Sequence, residues 1–205
     1  GYGIASSLKH RAEITGMDIV NVNIPEIRYC QASLLDYNSV EMHLKQEKPD
    51  VLIHTAALVN VDECEENPER AELFNSNVTA MLSDICEVQK IKMVYISTDA
   101  VFDGEEERLY TEDDKTNPIN IYGKTKLKGE YFVLQHSDNL VLRTNIYGLN
   151  IQDKKSFGEW IYDSLKKDLT IKMFTDIYFS PILVNELAEL IYLACEKNIA
   201  GLYHA

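Results

Sequence analysis

Val51-Leu52-Ile53-His54-Thr55-Ala56-Ala57 decides the fold. It is a short run, apolar nearly throughout instead of alternating. That is what a strand buried on both faces of a parallel sheet requires. Just upstream, Asp36 can cap a helix running to Lys48, which Pro49 stops. Downstream, Pro68 to Lys90 holds one long helix or two short ones. The next buried strand runs from Met93 to Ile96 and ends in Ser97-Thr98-Asp99.

The alternation continues outward in both directions. Gly1 and Gly3 form a turn into a helix, Ile4-Ala5-Ser6-Ser7-Leu8, closing at Gly16. A strand from Asp18 to Ile24 follows, and Ser33-Leu34-Leu35-Asp36 ends a short extended piece. On the other side, Asn117-Pro118 reads as a cap with Pro at the first helical position. That helix carries Tyr122 and Lys126 and runs to about Gln135. Then come a strand, Leu140 to Arg143, a helix from about Phe157 to Lys167, a strand near Leu169 to Met173, and a helix from Asn185 to Lys197. Strands alternating with helices predict an α/β fold, a doubly wound parallel sheet covered on both faces. Residues 1–147 are expected to form the main domain. Residues 148–205 are expected to form a smaller substrate-side lobe, interleaved with the last strands. Both ends look cut: Gly1-Tyr2-Gly3 has no strand before it, and Gly201-Leu202-Tyr203-His204-Ala205 reads as a strand just begun.

Composition narrows the function classes. Of 205 residues, 45% are hydrophobic, enough for a sizeable core. The net charge is −13 and no block of Lys and Arg offsets it, which argues against nucleic acid. Cys30, Cys64, Cys86 and Cys195 are widely spaced without a C-x-x-C, so reduced thiols in a cytoplasmic protein are expected, with no metal site. No apolar run approaches the ~20 residues of a membrane span.

Chemistry is expected beyond the carboxyl ends of the strands. Four stretches fall there: Gly1 to Ala5, Ala56-Ala57, Ser97-Thr98-Asp99 and Thr144-Asn145. Glycines let a backbone approach a pyrophosphate, which a helix N-terminus also favours, and Ala5 stands where a third small residue is allowed. Ala56 and Ala57 suit either close helix packing or room for a ribose. Thr98 either caps the next turn or hydrogen-bonds a substrate oxygen. Tyr122 and Lys126 are four apart, so on a helix they share one face. A neighbouring ammonium favours the phenolate, which allows proton exchange with an alcohol or carbonyl. His54 reads as a core histidine. Asp62, Glu63, Glu65 and Glu66 read as a solvated acidic loop, with a metal site as the alternative. Phe157, Trp160 and Tyr162 read as core packing.

In sequence order these pieces resemble the extended short-chain dehydrogenase/reductases, in particular the dTDP-4-dehydrorhamnose reductase branch. The matching motifs are Ala56-Ala57 with Val61-Asp62-x-Cys64-Glu65-x-x-Pro68-Glu69-x-Ala71; Asn75; Ser97-Thr98-Asp99-x-Val101-Phe102-Asp103-Gly104; Pro118-x-Asn120-x-Tyr122-Gly123-x-Thr125-Lys126-x-x-Gly129-Glu130; and Leu142-Arg143-Thr144-x-x-Tyr147-Gly148. The resemblance implies a Rossmann-type fold with an NAD(P)-binding domain over 1–147. It implies a reductase passing hydride from a nicotinamide to the keto carbon of a nucleotide-linked deoxysugar. Tyr122 would donate the proton. Lys126 would hold the nicotinamide ribose and lower the Tyr122 pKa. Thr98 would hydrogen-bond the reacting oxygen. Gly1, Gly3 and Ala5 would belong to the pyrophosphate turn, Ser33 and Leu34 would flank the adenine, and Asn75 would support the site.

Two departures bear on substrate. Ala100 stands where the family often has Tyr and the related dehydratases have Glu, which argues against dehydration. Ile177-Tyr178-Phe179-Ser180-Pro181-Ile182 replaces a Gln-x-Gly-x-Pro-Thr pattern. The strand end Asn21-Val22-Asn23-Ile24 lacks the acid that binds a ribose 2′-hydroxyl, and Arg28 lies just beyond, so NADP is favoured slightly over NAD. A homodimer is a candidate assembly. The alternatives are a non-catalytic dinucleotide-binding regulator of the same fold, like the beta subunit of methionine adenosyltransferase, or a related nucleotide-sugar epimerase.

Overall fold

The computed structural model describes residues 1–20, 24–149 and 156–205; Asn21, Val22 and Asn23 lie outside the described residues. The chain opens with α1 (Tyr2–Leu8), β1 (Thr15–Asp18), β2 (Arg28–Gln31), α2 (Tyr37–Glu47) and β3 (Val51–His54). Next, α3 (Val61–Glu66) leads to α4 (Pro68–Glu72), a single π turn (Leu73–Asn77) and α5 (Val78–Gln89). Then come β4 (Lys92–Thr98), a 3₁₀ turn (Asp99–Val101), α6 (Ile121–Val133) and β5 (Leu140–Tyr147). The chain continues through α7 (Phe157–Lys166), β6 (Pro181–Leu183), α8 (Val184–Glu196) and β7 (Gly201–His204).

Every strand pairing among the described residues is parallel, as the apolar runs predict. β3, β4 and β5 lie side by side, and β1 pairs with β2. The outer edge of β5 is shared: Leu140 to Arg143 pair with β7, and Asn145 to Tyr147 pair with β6. Parallel strands put all their carboxyl ends at one edge. Thr98 and Thr144 are register partners there.

β4 explains the layering. Successive side chains of a strand leave opposite faces. Met93 and Tyr95 pack with Val40 and Leu44 of α2, Leu82 and Ile85 of α5, and Val133 of α6. Val94 and Ile96 pack with Ile4 and Leu8 of α1 and Leu187 and Ile191 of α8. Each such side chain, fully buried, stabilises by about 1.5–3 kcal/mol. The helix ends follow local rules too. Asp36 caps α2 by accepting from the Ser39 amide at 3.1 Å. At the other end Lys48 turns left-handed, with φ 47°, just before Pro49.

Several expectations are corrected. The first strand begins at Thr15, before Asp18, so Gly16 lies inside a strand instead of closing a helix. The acidic loop is the helix α3, capped by Asn60, which accepts from the Glu63 amide at 3.2 Å. The cap of α6 is Asn120, accepting from Gly123 N at 2.7 Å; Asn117 instead binds Asp103 Oδ2 at 2.9 Å. Leu169 to Met173 form no strand, since β6 and β7 already fill the free edge of β5. Phe157, Trp160 and Tyr162 are exposed, at 55%, 41% and 63%, and do not form core.

The long helical stretch from Pro68 to Gln89 is continuous but changes pitch. In the π turn the Val78 amide reaches back to the Leu73 carbonyl, one residue farther than an α-helix allows. Asn75 and Ser76 lie inside this turn and are completely buried.

Candidate active site

α6 is brought against β4 by two glycines. A Cβ on Gly123 would lie 2.2 Å from the Ala100 carbonyl oxygen, and one on Gly129 would lie 2.5 Å from the Tyr95 hydroxyl. A glycine inside a helix costs about 1 kcal/mol against alanine. Here the cost gives close approach, which sets Tyr122 beside the end of β4. The first turn is held by Asn120 and by Glu65 of α3, which accepts from the Ile121 amide at 2.7 Å.

Thr98 meets the first of its expected readings. It caps the 3₁₀ turn by accepting from Ala100 N at 3.1 Å, and its hydroxyl lies near enough to the Tyr122 phenol to act on it. Burial raises the Tyr122 pKa, Asp99 and Cys64 raise it further, and the Thr98 hydroxyl opposes them. Lys126 is 3% exposed. Its Nζ donates to the Ile96 carbonyl at 2.7 Å and sits 4.0 Å from the centre of the Tyr95 ring. Burial pushes this amine down to about 7, with Glu130 pulling the other way. The expectation that Lys126 makes Tyr122 more acidic is therefore corrected: the ammonium turns into the sheet, and the phenol is shifted upward.

Behind this pair lies a closed polar layer. Glu130, one turn beyond Lys126, takes a bidentate ion pair from Arg143, with Nη2 to Oε2 at 2.7 Å and Nε to Oε1 at 3.0 Å, and a hydrogen bond from Ser97. His54 is buried and neutral, pushed down to about 3 by desolvation, and its Nε2 lies 3.2 Å from Thr79 Oγ1. It is a core histidine. Asn75 is bonded within the fold: it accepts from the Leu58 amide at 2.7 Å and donates to the Leu58 carbonyl at 3.1 Å and to Thr125 Oγ1 at 3.1 Å. It clamps the loop after β3 to α6, and its side chain is completely buried.

The other expected residues divide. Gly1 stands beside the end of β3, where a Cβ would lie 3.1 Å from Thr55 Oγ1. No side chain caps the start of α1. Gly3 marks the close approach of α1 to Val184, 2.7 Å from its would-be Cβ, and Ala5 is half-buried in the same helix. Ala56 is exposed and Ala57 half-buried, so close packing does not account for Ala56. Ser33 accepts from the Leu35 amide at 3.2 Å in a turn, while Leu34 packs on the core. Arg28 is excluded from a 2′-phosphate role. It begins β2, at the amino-terminal edge, and is paired with Glu13 at 2.8 Å and Glu47 at 3.1 Å. Asp18, missed because the strand was placed too late, ends β1 at the carboxyl edge of the sheet.

Among the described residues, no group of three or more His, Cys, Asp or Glu is placed to hold a metal ion. Nor is any helix there long and apolar enough to cross a membrane.

This arrangement has known counterparts. The family described as "RmlD substrate binding domain" matches residues 3–205. The chain belongs to that family. One relative, the probable low-salt glycan biosynthesis reductase Agl14 of Haloferax volcanii, is 33% identical over 85% of this chain and 59% of its own length. The crystal structure of a hypothetical dTDP-4-dehydrorhamnose reductase from Sulfolobus tokodaii is 34% identical, covers 100% of this chain and 71% of that one, and superposes with a TM-score of 0.86. The dTDP-4-dehydrorhamnose reductase of Bacillus anthracis, solved in complex with NADP, is 26% identical over 98% of this chain and 70% of that one, with a TM-score of 0.81. The chain spans 55–60% of the length of several curated relatives it matches. The Rossmann-type α/β sheet is thus the RmlD fold.

Proposed function

We propose that this chain is the cofactor-binding and proton-donating part of an NAD(P)H-dependent reductase of a 4-keto, nucleotide-linked deoxysugar. The observation that carries the reading is the Thr98–Tyr122 hydroxyl pair at the carboxyl edge of the sheet. The residues present suit a dinucleotide. The start of α1 has no side-chain cap, Ala56 leaves the end of β3 open, and Asp18 offers a carboxylate to a ribose hydroxyl. The reduced nicotinamide would supply the hydride.

The protein's own part is to place and protonate the carbonyl. Thr98 and Tyr122 both address the substrate oxygen and polarise the C=O bond. As the carbon accepts hydride, Tyr122 gives its proton to that oxygen, leaving an alcohol and a phenolate. A phenol shifted upward by burial is fully protonated at neutral pH, the state a donor needs. Lys126, one turn along α6, is buried with its amine held at the Ile96 carbonyl and pushed down to about 7. The B. anthracis relative was solved with NADP, which supports the slight preference for NADP over NAD.

The test is a panel of 4-keto nucleotide sugars with NADH and NADPH, followed by nicotinamide absorbance. Tyr122→Phe should lower kcat/KM by about 10²–10⁴-fold while cofactor still binds. Wild-type protein that binds cofactor and reduces nothing on the panel would favour the regulatory reading.

A further inference from the structure

The motif Val61-Asp62-x-Cys64-Glu65 lies on α3, and its Glu reaches a distant element. Glu65 Oε1 accepts from the Ile121 amide at 2.7 Å, across 56 residues of sequence. Ile121 is the first residue of α6 and Tyr122 the second. The first amides of a helix have no partner within it. Asn120 already supplies the local cap, accepting from Gly123 N at 2.7 Å. What Glu65 adds is a fixed place for the helix start. Residues 102–120 contain no helix or strand, so the connection before α6 does not set that place alone.

Two contacts locate the first turn. Gly123 rests against the Ala100 carbonyl, where a Cβ would lie 2.2 Å away. That contact limits approach but does not pull. The Glu65 bond pulls, since a hydrogen bond to a carboxylate is roughly twice as strong as a neutral one. α3 is itself tied to the loop after β3: Asn60 caps it, and Cys64 Sγ donates to the Leu58 carbonyl at 3.4 Å.

We infer that Glu65 is a positioning residue for Tyr122: its carboxylate, reaching from α3 to the first amide of α6, holds the phenol in place at the end of β4. The inference rests on the reading of Tyr122 as the proton donor. The geometry makes reach the property that matters, ahead of charge. A second bond between α6 and the helices before it offers a comparison. Lys128, farther along α6, pairs with Glu72 of α4. Cutting that pair removes an exposed link to α6 and leaves the first turn untouched.

Four variants separate these effects. Glu65→Ala loses both reach and charge. Glu65→Gln keeps an acceptor oxygen at the same reach and loses the charge. Glu65→Asp keeps the charge and falls one methylene short. Glu72→Ala cuts the comparison bond. Two readouts apply: kcat and KM for keto-sugar reduction, and the tyrosinate titration of each protein against its own Tyr122→Phe version, which needs no substrate. Burial is the main cause holding the phenol pKa up, so a loosened first turn should let it titrate nearer its ordinary value. Asp99 and Cys64, which also raise it, are unchanged in every variant.

Glu65→Ala and Glu65→Asp should titrate lower than wild type. Their kcat should fall by up to about 10²-fold, the cost of a misplaced reacting group, with KM for the cofactor little changed. Glu65→Gln and Glu72→Ala should stay close to wild type on both readouts. A Glu65→Ala protein that matches wild type in kcat and titration overturns the inference. So does the reverse pattern, with Glu65→Asp like wild type and Glu65→Gln like Glu65→Ala, because charge alone would then explain the effect. If Glu65→Ala fails to fold, the contrast between Gln and Asp decides. Titrations that shift as described in a protein reducing no keto sugar support the role of Glu65 and defeat the proposed reaction. Reduction of keto sugars with neither readout moved by Glu65→Asp leaves the reaction standing and overturns the inference.

Discussion

The seam between β4 and α6 and the stretch from Phe157 to Phe179 are built on opposite terms. In the seam, Tyr95, Ser97, Lys126, Glu130 and Arg143 are almost wholly buried and bonded to one another. In the later stretch, Phe157, Trp160, Phe174 and Tyr178 are exposed, Phe174 at 78% and Tyr178 at 89%. The groups assigned to proton transfer lie on elements with little freedom to move. The aromatic groups of the later stretch lie where side chains can be exchanged without disturbing the core. Changes in the first region should therefore act on folding and rate together. Changes in the second should act on recognition alone.

The strongest way to break the contrast is Arg143→Met. It leaves the Glu130 carboxylate buried with only Ser97 as partner, and removing one member of a buried ion pair costs about 3–5 kcal/mol. Urea denaturation should show that loss, and a change below about 1 kcal/mol would mean the pair adds little to the seam. Gly123→Ala comes next. The gain in helix propensity of about 1 kcal/mol is outweighed by a methyl placed 2.2 Å from the Ala100 oxygen, which is backbone and cannot step aside. A net loss of about 1–3 kcal/mol is expected, with a rate defect as Tyr122 moves from Thr98.

Lys126 sharpens the comparison through pH. Its folded-state pKa of about 7 lies below the ordinary 10.5, so between pH 7 and 9 the unfolded chain binds more protons. Cofactor-free wild type should therefore gain stability over that interval relative to Lys126→Met, by up to about 2 kcal/mol, and the difference should be flat at lower pH. Parallel curves would show that the amine is not desolvated. The smallest effect belongs to Trp160→Ala. Exposed at 41%, it should shift the unfolding free energy by no more than about 0.5 kcal/mol, while KM for a keto sugar rises if this face meets substrate.

Much of this was legible in the chain itself, because its signals are local. The apolar runs at Val51 and Met93 become parallel strands, and Asp36 and Pro49 bound a helix where cap and breaker chemistry put them. Thr98 and Tyr122 meet because one ends a strand and the other opens the next helix of any length. What could not be read depends on neighbours far away in sequence. Leu169 to Met173 look like a strand until one knows that the edge of β5 is occupied. The direction of Lys126 is set by the Ile96 carbonyl and the Tyr95 ring, which spacing along a helix does not reveal. Starting β1 at Thr15 moved Arg28 to the wrong edge and brought Asp18 to the right one. A helix as acidic as α3 carries almost no apolar stripe, and only the Asn60 cap marked it.

The π turn at Leu73–Asn77 has a consequence for anyone trimming or transplanting this scaffold. The wide turn absorbs one residue more than an α turn, so the helical segments on either side keep nearly the facing that a regular helix one residue shorter would give them. Deleting the exposed Asn77 would turn the Val78–Leu73 bond into an ordinary α-helical one and leave Ala71 and Leu82 both inside. A single deletion should therefore be tolerated better at this spot than within α5, where it would swing everything beyond it by about 100°.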